Sequence, residues 1–207
     1  MVSHLLNIDD ALAKKVADGL GLREMPQPAQ AAKPTRQDLK KSSALSILLN
    51  GPKSFKSRKL GVLVTNGADI SLLQALKNAV EHEGALLEIV APKVGGVEAS
   101  DNSWVEVDQK VDGGPSVLYD AVALLPSTEG VQLLMKEPAA RDFIADAFAH
   151  NKFIGYAEAA APLFEKAGVA EERDSGFIAL KGPNDCSAFI TACRQLRYWS
   201  RSKKQAG

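Results

Sequence analysis

Cysteine is nearly missing from this chain: two occur in 207 residues, Cys186 and Cys193. They fall in one stretch of helical spacing, where a rise of about 1.5 Å per residue sets them roughly 10 Å apart along the axis. A disulfide needs Cα atoms closer than about 7 Å, so the two do not bridge there. Histidine is equally sparse, and His4, His82 and His150 offer no zinc-ligand spacing, which argues against a metal site. No run approaches the roughly 20 apolar residues that cross a bilayer, and Met1-Val2-Ser3-His4 does not open a basic-then-apolar export signal. An excess of one charge is also lacking, since 25 basic and 25 acidic residues cancel. That removes the footprint of a dedicated nucleic-acid binder and of a polybasic membrane binder. The expectation is a cytoplasmic protein with neither nucleic acid nor membrane as partner.

What is present suffices for one substantial core, with 45% apolar side chains. Charge divides the chain near residue 57: nine basic and five acidic side chains precede that point, sixteen and twenty follow it. Asn7-Ile8-Asp9-Asp10 opens a short amphipathic helix running to Ala17, with Asn7 or Asp9 as cap and Gly19 and Gly21 as stops. From Met25 to Ser43, Pro26, Pro28 and Pro34 interrupt a polar stretch without an apolar face, which reads as an extended linker. Residues 43–49 turn apolar again, a surface suited to a partner or to self-association.

From Arg58 the rhythm is strand then helix. Apolar runs at 59–64, 86–90, 120–125, 152–156 and 176–180 read as strands. Helical spacing occupies 70–84, 129–136, 138–150, 158–166 and 184–199, and a polar excursion between Pro92 and Pro115 holds a small hairpin. Continuous apolar strands alternating with helices mean a sheet covered on both faces, hence a mainly parallel, three-layer α/β fold. Ligands of such sheets sit beyond the carboxyl ends of the strands, here Thr65 to Asp69, Pro126 to Glu129 and Ala157 to Ala160. Gly95-Gly96 and Gly113-Gly114-Pro115 do not stand between a strand and a helix, so they read as loop punctuation rather than phosphate cradles. His82 and His150 read as helix-end residues. Trp104 and Trp199 are either interface anchors or cover for the core edge.

Several longer motifs carry a resemblance. Arg58-Lys59-Leu60-Gly61-Val62-Leu63-Val64, Ile89-Val90-Ala91-Pro92-Lys93-Val94-Gly95-Gly96-Val97, Asp112-Gly113-Gly114-Pro115-Ser116, the run Ala140 to His150, and Gly176-Phe177-Ile178-Ala179-Leu180 stand in an order that resembles the C-terminal domain of large-subunit catalases. That domain is flavodoxin-like and related to the DJ-1/PfpI and class I glutamine amidotransferase group. His4 to Asp9 and Val16 to Leu22 look like the tail of the catalase helical region. The resemblance implies four parts: a helical remnant at 1–25, a linker or arm at 26–57, a DJ-1/PfpI-like domain at 58–201, and a tail at 202–207. Large catalases decompose hydrogen peroxide on haem held in an upstream barrel that this chain is not expected to contain, so no cofactor is expected here. Arg194 and Tyr198 share the spacing of a catalase proximal site but lie on the last amphipathic helix, outside an apolar haem pocket.

DJ-1/PfpI relatives carry a nucleophilic cysteine on the turn after the fourth strand, assisted by an acid from the first strand-to-helix turn. The resemblance puts Glu158 at the nucleophile position, Ala159 at the adjacent histidine position and Asp69 at the acid. A carboxylate in place of the thiol removes the soft nucleophile, and both carboxylates have structural employment, Glu158 opening a helix and Asp69 capping one. Cys186 and Cys193 read as small apolar core residues. The leading expectation is a non-enzymatic domain of a large catalase, serving assembly, stability or chaperone-like protection, with the catalase core or a further copy as partner; the parent is a homotetramer. The alternatives are a DJ-1-like enzyme acting on small carbonyls or amides through Glu158 and Asp69, and a regulatory small-molecule module using the strand-end pocket.

Overall fold

The computed structural model describes residues 1–36, 38–40 and 42–205, side chains of 203–205 excepted. The chain forms two compact units, Met1–Leu49 and Asn50–Gly207.

In the first unit, α1 (Val2–Leu5) precedes α2 (Asp10–Gly19). Asp9 caps α2, its Oδ1 accepting from Leu12 N at 2.8 Å. Gly19 stays helical, and Gly21, at φ 67°, makes the stop. The Leu22 and Gly21 amides then donate to the carbonyls of Ala17 and Asp18, closing a Schellman turn that only a residue free of Cβ enters cheaply. Val2, Ala13 and Ala17 are the buried core of this unit. The expected linker is tied down at its start, because Ala29 N donates to Ser3 O and Asn7 Nδ2 to Ala29 O. Gln37 and Lys41 lie outside the described residues. The apolar stretch ends in a 3-10 turn (Ser43–Leu45) and α3 (Ile47–Asn50), with Leu45, Ile47, Leu48 and Leu49 exposed.

In the second unit the strands are β1 (Lys59–Val64), β2 (Leu86–Ala91), β3 (Gly95–Glu98), β4 (Trp104–Val107), β5 (Gln109–Lys110), β6 (Ala121–Leu125), β7 (Ile154–Tyr156) and β8 (Phe177–Ala179). The helices are α4 (Ile70–His82), α5 (Thr128–Leu134), α6 (Pro138–Ala149), α7 (Ala161–Lys166), α8 (Pro183–Cys193) and α9 (Ser200–Gln205). Six strands pair in the order β5-β2-β1-β6-β7-β8, every pair parallel, while β3 and β4 form the expected hairpin. One core layer sets Val62, Leu72, Leu76, Cys186 and Phe189 on one face of the sheet. The other sets Leu63, Val122, Phe143, Ile144 and Phe164 on the opposite face. This is the three-layer α/β architecture that uninterrupted apolar strands require. The chain reverses its direction of travel across the sheet between β1 and β6, which is therefore the switch point where a crevice opens.

Three expectations are corrected. The final helix does not run from 184 to 199: α8 ends at Cys193, Leu196 adopts φ 65°, and α9 begins at Ser200. The break lets the Tyr198 amide donate to Asn151 O at 2.7 Å and brings Arg201 into the protein. Gly95 and Gly96 are strand residues, not loop punctuation, and the Trp104 indole lies over Gly96, where a Cβ would come within 2.4 Å of the ring. Glu158 begins a 3-10 turn (Glu158–Ala160), and the α-helix starts only at Ala161 with Pro162 in its first turn, where a missing amide proton costs least.

Candidate functional site

The switch point places the ends of β1 and β6 side by side. Thr65 and Ser127, one residue beyond β1 and two beyond β6, meet there. Thr65 Oγ1 accepts from the Ser127 amide at 2.9 Å and lies 3.4 Å from Ser127 Oγ. Ser127 Oγ donates to Asn66 O at 2.6 Å and accepts from Gly130 N at 2.9 Å, so Ser127 is at once the α5 cap and a latch onto the β1 turn. Gly130 is required by this closeness, since a Cβ would stand 1.9 Å from Thr65 Oγ1. The same turn is bound on its other side to the hairpin: Gly67 N donates to Glu98 O, Glu98 N to Asn66 Oδ1, and Ser100 N to Ala68 O. The two hydroxyls and Asn66 Oδ1 are thereby spent within the protein.

Each residue proposed from sequence can be placed. Asp69 is exposed and caps α4, accepting from Leu72 N at 3.1 Å, while Ile70 N donates to Ser100 Oγ. Glu158 is exposed and Ala159 half-buried on the turn after β7. A nucleophile elbow stores strain at the reacting residue, but among the described residues none in this turn has positive φ. No hydrogen bond joins Asp69 to Glu158 among the described residues, and neither lines the cleft found beyond the strands.

That cleft, about 220 Å³, is lined by Thr65, Asn66, Pro92, Lys93, Gly96, Val97, Glu129, Gly130 and Leu133. It uses two of the three expected strand ends, those of β1 and β6, and takes its remaining wall from the β2–β3 connection instead of from 157–160. The apolar run into Pro92-Lys93 signalled a strand end, but nothing in the sequence showed the hairpin folding back over β1.

Both thiols are withdrawn from solvent. Cys186 and Cys193 are fully buried on α8, and burial pushes the Cys186 thiol up to about 11 and Cys193 still further in the same direction. The Arg-x3-Tyr pair does not fit a haem site either. Arg194 caps α8 and holds Glu83 through Nη2 at 2.6 Å, drawing that carboxyl below its usual range. Tyr198 stands beyond the helix with its ring edge-on to Phe153, centroids 6.0 Å apart. Among the described residues, no group of His, Cys, Asp and Glu is arranged to hold a metal ion, and no helix is long and apolar enough to cross a membrane.

Comparison with known proteins agrees with the fold. The profile of the C-terminal domain found in long catalases matches residues 56–203. Catalase C of Rhizobium meliloti is 58% identical over 97% of this chain and 28% of its own length. Catalase HPII of Mycobacterium avium is 32% identical over 97% of this chain and 30% of its own. The chain thus spans less than a third of either catalase. Among solved structures, oxidised Toxoplasma gondii DJ-1 superposes with TM-score 0.57 at 16% identity, covering 72% of this chain and 96% of its own. A DJ-1 superfamily protein from Salmonella typhimurium gives the same score and coverage at 20% identity. At those identities the likeness is one of fold: flavodoxin-like, of the DJ-1/PfpI kind.

Proposed function

The chain belongs to the family of C-terminal domains found in long catalases, and from that premise we propose that it is a non-enzymatic module that stabilises the catalase assembly. Peroxide decomposition and its haem belong, in this reading, to the part of the catalase chain lying outside these 207 residues. The observation that carries the reading is the turn after β7: an unstrained 3-10 turn bearing an exposed carboxylate where DJ-1 relatives bear a thiol, while both real thiols are buried elsewhere. The partner is the catalase core, and the exposed Leu45, Ile47, Leu48 and Leu49 supply an apolar surface for it or for a second copy. The parent's homotetramer is the assembly served, and chaperone-like protection of unfolding clients is a further capacity of the same module.

Deleting this segment from the full catalase tests the reading. Initial peroxide turnover is expected to stay within about twofold, while the half-life at elevated temperature falls because packing that resists unfolding is removed. Unchanged thermal inactivation would end the stabilising role, and loss of turnover in a folded tetramer would end the non-enzymatic one.

A further inference from the structure

The cleft beyond β1, β2 and β6 has a composition the stabilising role leaves unused. Pro92, Val97 and Leu133 give it an apolar lining, while Lys93 and Glu129 bring opposite charges to the same small space. Neither has an ion pair or hydrogen bond among the described residues. Within reach of the same hairpin and its neighbouring strand, by contrast, Lys110 is paired with Asp112 and Asp101 accepts from Ser103 N. Asn66 is fixed in orientation because its Oδ1 accepts from Glu98 N at 3.1 Å, which commits its carbonyl side and leaves the amide protons of Nδ2 for a guest. The hydroxyls of Thr65 and Ser127 are already engaged with each other and with Asn66 O.

A cation, a carboxylate and an amide donor around an apolar wall are complementary to a molecule carrying both charges and a hydrocarbon body. At about 220 Å³ the space falls below the roughly 300–1,000 Å³ of pockets for drug-sized ligands, which restricts the guest to a small metabolite. We propose that this cleft binds a small aliphatic α-amino acid. Its carboxylate meets Lys93 and Asn66 Nδ2, its ammonium meets Glu129, and its side chain lies on Val97 and Leu133. Charge-assisted hydrogen bonds at both ends orient it. This binding does not depend on the module being catalytically silent, because neither Glu158 nor Asp69 lines the cleft.

Titration calorimetry of the full chain with L-leucine, isocaproate and isoamylamine decides the matter, the last two each lacking one of the charged groups. Saturable leucine binding is expected, with each half-molecule weaker by about tenfold or more. Lys93→Ala and Glu129→Ala are each expected to weaken leucine by a similar factor, with unchanged unfolding midpoints because both side chains are exposed. Absence of saturable heat with leucine would overturn the proposal. So would isocaproate or isoamylamine binding as tightly as leucine, or variants that bind leucine like the wild type.

Discussion

Arg201 and Asp174, 27 residues apart, form a buried two-pronged ion pair: Arg201 Nε donates to Asp174 Oδ2 at 2.8 Å and Nη2 to Oδ1 at 3.0 Å. Their side chains are 2% and 5% exposed. The remaining guanidinium nitrogen donates to the carbonyls of Phe148 and Lys152, and the Phe148 ring lies 4.6 Å from the guanidinium carbon. Removing one partner strands the other charge where water cannot reach it. Arg201→Ala is therefore expected to destabilise the second unit by about 3–5 kcal/mol, measured by urea unfolding. A loss below about 1 kcal/mol would show the pair to be solvated in solution.

Lys152 is buried, and among the described residues no carboxylate forms an ion pair with it. Its ammonium donates to Ser116 O and, at 2.6 Å, to Tyr119 O. Desolvation, helped by the nearby Arg197 charge, lowers its pKa to about 8. With the folded value below the unfolded one near 10.4, the unfolded chain holds more protons between them, so stability rises as pH climbs from about 8 to 10.4. The gain is at most about 3 kcal/mol. Comparing urea midpoints of wild type and Lys152→Met across that range checks the sign: the wild type should gain on the variant. A constant difference would place the ammonium in contact with water.

Gly130 lies within α5, where alanine ordinarily favours a helix by about 1 kcal/mol. Here the Cβ would meet Thr65 Oγ1 at 1.9 Å, so Gly130→Ala is expected to destabilise by about 1–3 kcal/mol. In a Thr65→Gly background, which removes both Oγ1 and the Cβ that would otherwise stand 2.4 Å away, part of that penalty should vanish, a coupling that a double-mutant cycle reads directly. Additive effects would mean that the latch between the β1 turn and α5 is not tight.

Both thiols should resist alkylation. With Cys186 at 0% exposure and its pKa near 11, and Cys193 equally buried, iodoacetamide at pH 8 is expected to label neither until the chain unfolds. Rapid labelling of one equivalent in native protein would reveal an accessible thiol and reopen nucleophilic chemistry.

The sheet was legible because its strands are apolar runs, Leu60 to Val64 and Ala121 to Leu125 above all, and because Asp69 stands where a helix cap belongs. The strand-end cleft was legible only at β1 and β6. Its third wall depends on Glu98 and Ala99 reaching back to Gly67 and Ala68, a pairing between residues some thirty positions apart that no local pattern encodes. Lys152 and Arg201 escaped for a different reason: charged side chains are surface residues by default, and only tertiary carbonyls and Asp174 make their burial tolerable. The break at Leu196 carried no glycine or asparagine to announce a left-handed residue.

A non-enzymatic module of DJ-1-like fold carries no chemistry at the turn after β7. The direct measurement is methylglyoxal consumption by the purified, cooperatively folding chain, run beside Glu158→Ala. Rates for both are expected to match buffer alone. Turnover by the wild type that disappears in the variant would contradict it.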